Sequence, residues 1–307
     1  MNRRRKLLIP CFLGLLCLLC SFYPMRLGAQ AGDVLPAQNW NRVRILDLNS
    51  MPWVIPPKAP EGWKLKNIHT IESTGGGINL VFIPPNWAPK DPRHYDKANG
   101  WYYFLSGETS IIYYRSPQDQ VGEILRFRPG QLFTGVEGAI HGFGPQVIVP
   151  DGCVVLDWHD RRPVLVPIPF DYKETTFNGR PWPFPKTVDT RDEPWEKSAE
   201  GYIVKKLYDV NGATVELRYY APEWRSSGPM RYADFDRWMY VLNGAFDVRA
   251  YEWPGDSNAK LLHATKGQVV EIPVHSIFGG GNTIEPKDIG AWVLVWRERG
   301  GKEMDVP

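Results

Sequence analysis

Two of the six histidines in this sequence fall with a spaced aspartate in one stretch whose pattern could hold a metal. Residues 93–141 open with RHYD, run through WYYFLSGE and close with RPGQLFTGVEGAIH. The stretch carries His94, Asp96 and His141. Three of the other four histidines, His69, His159 and His263, sit early in a strand pattern, at a strand end and in KLLHAT, and read as packed or solvated residues. Nucleophile and phosphate chemistry find no support. There is no G-x-S-x-G and no H-E-x-x-H, and the glycine runs 75–77 and 279–281 neither open a helix nor precede Lys-Ser/Thr. Those runs read as hairpin or rim turns. Cys153, within CVVLDW, reads as a small buried hydrophobe rather than a reactive thiol.

The elements that must position these groups are strands. The first 31 residues stand apart from them. MNRRRK is a basic start, LLIPCFLGLLCLLCSF is an apolar run too short for a comfortable membrane span, and Ala29-Gln30-Ala31 has the small residues of a cleavage site. A secretory signal peptide cut after Ala31 is expected, and with it a secreted or periplasmic protein. Cleavage removes Arg3, Arg4, Arg5, Lys6 and Arg26, so the formal net charge moves from +2 to about −3. Nothing basic remains to recommend nucleic acid, and no membrane partner is expected after cleavage. Cys11, Cys17 and Cys20 leave as well, and Cys153 alone cannot form an intrachain disulfide.

Beyond a polar, proline-bearing arm (32–44), short β-branched and aromatic runs alternate with turn residues: INLVFIP, WYYFL, SIIYY, EILRF, QVIVP and CVVLDW, then ATVELRYY, WMYVL, AFDVRAY, KLLHA, QVVEI and AWVLVW. No segment sustains helical periodicity. Residues 161–188 are rich in proline and read as an extended linker. The two halves are copies. Asp47, Pro52 and Trp53 match Asp189, Pro194 and Trp195. At a second, constant offset, Pro85, Trp87, Pro92, Trp101, Tyr103, Leu105, Gly107, Gly130 and Gln131 match Pro222, Trp224, Pro229, Trp238, Tyr240, Leu242, Gly244, Gly267 and Gln268. A repeat this long is a duplicated domain rather than a solenoid unit.

On these motifs the sequence resembles the cupin superfamily, specifically a bicupin. The second cupin motif reads Gly130-x5-Val136-x-Gly138-x2-His141, with its Gly and His positions kept and its Pro lost. Counting back from Gly107 in the first motif, the Glu position is Gly100 and the His-x-His positions are His94 and Asp96. The Pro-Trp near each copy's start resembles cupins of the dihydroxyacetophenone-dioxygenase and anti-sigma-factor type. The resemblance implies an all-β fold of two jelly-roll barrels in tandem, 45–160 and 189–300. It implies that His94, Asp96 and His141 meet at one barrel mouth as a 2-His-1-carboxylate set. That set suits Fe(II), with Mn, Ni or Zn as other divalent choices. The residues also admit a surface reading, in which RHYD is an exposed loop and Asp96 pairs with Arg93 or Lys97.

In the second copy the same positions are Arg231, Ala233 and Arg237, with Phe278 at the second motif's His and His275 three residues earlier. No divalent site is expected there. Two arginines aimed into a barrel suit a carboxylate or phosphate; alternatively they pair with the adjacent Asp234 and Asp236. Trp101, Tyr102, Tyr103, Trp238 and Tyr240 alternate, so half of them face a barrel interior, as core or as an aromatic lining. The expected function is a mononuclear-metal dioxygenase or related enzyme acting on a small oxygenated organic molecule through the first barrel. The rival is a metal-free cupin that binds a small carboxylate or sugar. Exposed sheet edges favour a homodimer.

Overall fold

The computed structural model describes residues 40, 42–57, 59, 61–86, 93–142, 151–210, 212–226, 228–279 and 289–306, all within one compact unit, Ala37–Pro307. The expected signal peptide with its expected cleavage residue Ala31, most of the 32–44 arm and the QVIVP run lie outside the described residues. The described chain is all β. No helix among the described residues is long and apolar enough to cross a membrane.

The first barrel is two facing sheets. A six-stranded sheet runs in the order Lys186–Asp189, Gln131–Gly135, Gly100–Gly107, Cys153–His159, Gly77–Ile83, Lys64–Thr70. A five-stranded sheet runs Leu165–Pro167, His94–Asp96, Ile140–Gly142, Thr109–Tyr114, Glu123–Phe127. The alternating runs read from the sequence fall on these strands, because period-two patterning needs one face buried. In the second half WMYVL and AFDVRAY are not two strands. They form one strand of 15 residues, Arg237–Tyr251. A register shift between Val241 and Asn243 bends it from one barrel face into the other, so the second barrel is a single continuous sheet.

Three sequence boundaries are corrected. Arg44–Asp47, expected to begin the first barrel, pairs instead with Gln268–Ile272 of the second. The supposed linker 161–188 contains Leu165–Pro167, which pairs with His94–Asp96, and leads into Lys186–Asp189, which pairs with Gln131–Gly135 of the first barrel. The second barrel continues past residue 300, since Glu303–Asp305 pairs with Met230–Ala233. Each half therefore lends its first strand to the other barrel. The registers are twins, with Asp47 opposite Gln268 and Asp189 opposite Gln131.

The exchange is locked by a repeated device. Lys66 is buried and its ammonium donates to the Leu48 carbonyl while lying 4.6 Å from the Trp53 ring. Lys205 is buried, donates to the Thr190 carbonyl and lies 4.6 Å from the Trp195 ring. Cation–π contact and hydrogen bonding together compensate each buried charge. Between the barrels lies one shared core. Trp101 stacks on Trp158 and Trp238 on Trp296, and Trp101 meets Trp296 edge to face at 5.8 Å. Leu48, Leu132, Leu156, Val188 and Leu294 complete it.

Candidate metal centre in the first barrel

Strand pairing brings the three expected residues together. His94 and His141 are direct antiparallel partners, and their rings sit 4.4 Å apart between centroids. Asp96 is two residues from His94, so alternation aims it at the same face. One donor atom from each of His94, Asp96 and His141 lies within 4.8 Å of the other two. The Asp96 Oδ2 to His141 Nε2 distance is 3.7 Å.

The surface reading of RHYD fails on burial: His94 is 5% exposed. Arg93 points the other way, where its guanidinium donates to the carbonyls of Asp119, Ile168 and Pro169 and lies over the Phe170 ring. Lys97 is exposed. Neither cation neutralises Asp96, whose Oδ1 is buried and accepts no hydrogen bond. A buried carboxylate oxygen left so is costly unless something cationic faces it. His141 Nδ1 lies 3.0 Å from the Ala139 carbonyl, which places the proton on Nδ1 and turns the Nε2 lone pair to the cluster. The Tyr113 ring stacks on His141 and fixes its plane. Donor types, spacing and the orphaned oxygen all fit a divalent cation.

The cluster opens into a cavity of about 380 Å³. Alternation sorts the aromatic strand. Trp101 and Tyr103 enter the shared core, whereas Gly100, Tyr102 and Phe104 line the cavity with Phe133 and Val155. No Lys or Arg among the described residues lines it.

Two lining groups were not singled out from the sequence. His159 pairs across strands with Gly100, and Asp157 with Tyr102. The Tyr102 hydroxyl and His159 Nε2 share a hydrogen bond of 2.9 Å, and His159 Nδ1 lies 3.0 Å from Asp157 Oδ1. Burial pulls the imidazole's pKa down, but Asp157, with Asp96 and Asp160, outweighs it and leaves the pKa above its usual value. Burial, then Asp157 and Asp96, push the Tyr102 phenol well up. A strand-end histidine gives no local sign of such a role. The usable signal was the glycine at the motif's Glu position, directly across from it.

The second barrel confirms by register which positions correspond and shows what replaced the ligands. Arg231 pairs with Phe278 just as His94 pairs with His141. The acids facing the arginines are not the expected Asp234 and Asp236. Asp234 Oδ1 accepts from the Lys302 backbone N–H and Asp236 Oδ1 from that of Val274. Arg231 instead meets Glu200, Glu303 and Asp305, and Arg237 meets Glu303. The carboxylates that meet Arg231 and Arg237 thus come from Glu200 and from the strand Glu303–Asp305. Burial, then repulsion from Arg218, lowers the Arg237 pKa to about 10. His275 adopts φ +61° and its N–H donates to Ala233. It fills the turn that Gly138 makes in the first barrel rather than joining a site.

No family model and no curated protein matches the sequence. Solved structures do. A variant of the oxalate decarboxylase of Bacillus subtilis superposes with a TM-score of 0.56 at 14% identity, covering 87% of this chain and 80% of that one. The formate complex of Lactobacillus farciminis oxalate decarboxylase gives 0.54 at 14% identity, covering 85% and 88%. The protein Ylba from E. coli gives 0.54 at 13% identity, covering 84% and 91%. None of these speaks for the narrower resemblance to dihydroxyacetophenone-dioxygenase-type cupins. Two β-barrels from a duplicated sequence, built on a shared core and superposing on these structures over most of their length, give the chain the fold of a bicupin.

Proposed function

We propose that the first barrel is a mononuclear metal centre held by His94, Asp96 and His141, with Fe(II) the favoured ion, and that it acts on a small oxygenated organic molecule as a dioxygenase or related enzyme. The buried Asp96 Oδ1 that accepts no hydrogen bond carries this reading. A bound ion supplies Lewis acidity and open coordination positions for substrate and O₂. The chain supplies the rest. His94, His141 and Asp96 fix the coordination face, Tyr113 and the Ala139 carbonyl hold His141 in orientation, and the aromatic walls exclude water. Among the described residues no Lys or Arg lines the cavity to pair with a dianion, which favours a largely apolar substrate. That separates the expected substrate from the small dicarboxylate named by two structural neighbours. It also weighs against a metal-free barrel built to bind a carboxylate.

Metal analysis of protein purified without chelators tests the proposal. One equivalent of Fe, Mn, Ni or Zn is expected, lost in His141→Ala with the fold intact. Metal near zero in the wild type, even after incubation with these ions, would overturn it. We also propose export, supported by the basic, apolar and small-residue order of residues 1–31. N-terminal sequencing of the exported protein should begin at Gly32.

A further inference from the structure

We propose that Tyr102, His159 and Asp157 form a proton-transfer chain serving this metal centre, with Tyr102 as the group that meets a hydroxylated ligand and His159 and Asp157 acting behind it. The inference rests on the metal reading above and adds to it.

Position is the first argument. Gly100 stands where the resemblance places a Glu, and a Cβ built on it would lie 2.9 Å from His159 Cδ2 and 3.3 Å from Nε2. The imidazole therefore occupies the space that the glycine leaves open. Register is the second. Gly100 opposite His159 and Tyr102 opposite Asp157 are consecutive same-face pairs of two adjacent antiparallel strands. That face also lines the cavity holding His94, Asp96 and His141. Direction is the third. In the tautomer this role requires, Tyr102 donates to Nε2 and the remaining imidazole proton sits on Nδ1, 3.0 Å from Asp157 Oδ1 in an ion-pair approach rather than a formed hydrogen bond, so the three groups run from the cavity wall to a carboxylate.

The duplicated barrel supplies an internal control. Its register pairs Arg237 with Arg297 and Met239 with Val295 where the first barrel pairs Gly100 with His159 and Tyr102 with Asp157. The barrel that lacks the ligand set lacks the chain too. A polar trio needed only to close a barrel has no reason to follow the ligands in this way.

The transfer balances without a further reactant. The ligand's hydroxyl proton passes to Tyr102 Oη as the tyrosine's own proton passes to His159 Nε2. The imidazolium rests beside Asp157, and reversal returns the proton to product. No electrons move.

The test uses the full exported chain loaded with redox-inert Zn(II), and 4-nitrocatechol as the probe, whose absorbance reports its ionisation. Zinc content, proton release in weak buffer and affinity are compared for the wild type, Tyr102→Phe, His159→Gln and Asp157→Asn. We expect full zinc in all four. The variants should release about one more proton per probe bound than the wild type, because the wild type retains it on the chain, and Tyr102→Phe and His159→Gln should bind about tenfold more weakly or worse. Equal proton release and affinity in fully loaded variants would overturn the proposal. So would no binding of the probe by zinc-loaded wild type, and so would zinc lost from His159→Gln but kept by Tyr102→Phe, which would make His159 a ligand. Wild type that takes up no zinc would instead sink the metal reading itself.

Discussion

His94 and His141 converge because two antiparallel strands put them directly opposite one another, and the same logic brings His159 in front of Gly100. A side chain cannot be restored at position 100 cheaply. Its Cβ would fall 2.5 Å from the Trp158 carbonyl oxygen as well as against His159. Gly100→Glu should therefore cost about 1–3 kcal/mol in urea unfolding rather than complete a four-ligand site. A second residue with a readable signature is Glu298. Burial, then Asp236, raise its carboxyl pKa to about 7 against the pull of Arg299, and its Oε2 is buried without a hydrogen bond. The unfolded chain ionises this group near 4.5, so its contribution to stability is whole below that pH and is lost as pH rises to about 7. Glu298→Gln should flatten that decline, measured as unfolding free energy across pH 4 to 8, most visibly at the alkaline end. The convergence of His94, Asp96 and His141 was legible in the sequence because motif spacing survives substitution. The Tyr102–His159–Asp157 chain was not, because it depends on which strands lie side by side. The acids facing Arg231 and Arg237 were misread for the same reason: neighbours in sequence were assumed, and a distant C-terminal strand supplies them.

At the scale of elements, alternation and turn residues marked most strands, yet no local pattern says which sheet a strand joins. Asp47 and Asp189 were recognisable as repeats, but their exchange between barrels was not. The buried lysines are where that exchange can be probed. Removing the ammonium of Lys66 leaves the Leu48 carbonyl without its donor and Trp53 without its cation, and Lys205 does the same for Thr190 and Trp195. Lys66→Met and Lys205→Met should each cost about 1–3 kcal/mol by chemical denaturation. The two sites share no residue, so the double variant should show close to the sum.

For the molecule as a whole, the shared core makes the two barrels one thermodynamic object. Trp101 is 1% exposed and touches tryptophans of both halves. Trp101→Ala should cost about 3–5 kcal/mol, and calorimetry should show a single transition, displaced but not split into two. A split would mean that the barrels stand independently. The exchanged first strands also set a timetable for folding. Arg44–Asp47 emerges early from the ribosome, yet Arg44 pairs with Glu271, 227 residues later. Neither barrel can close on the first half alone, since the first also waits for Lys186–Asp189. Such long-range pairing is slow and leaves open sheet edges exposed meanwhile. For the export proposed above that delay is an advantage, because the native pairing cannot be completed until nearly all of the chain has been made.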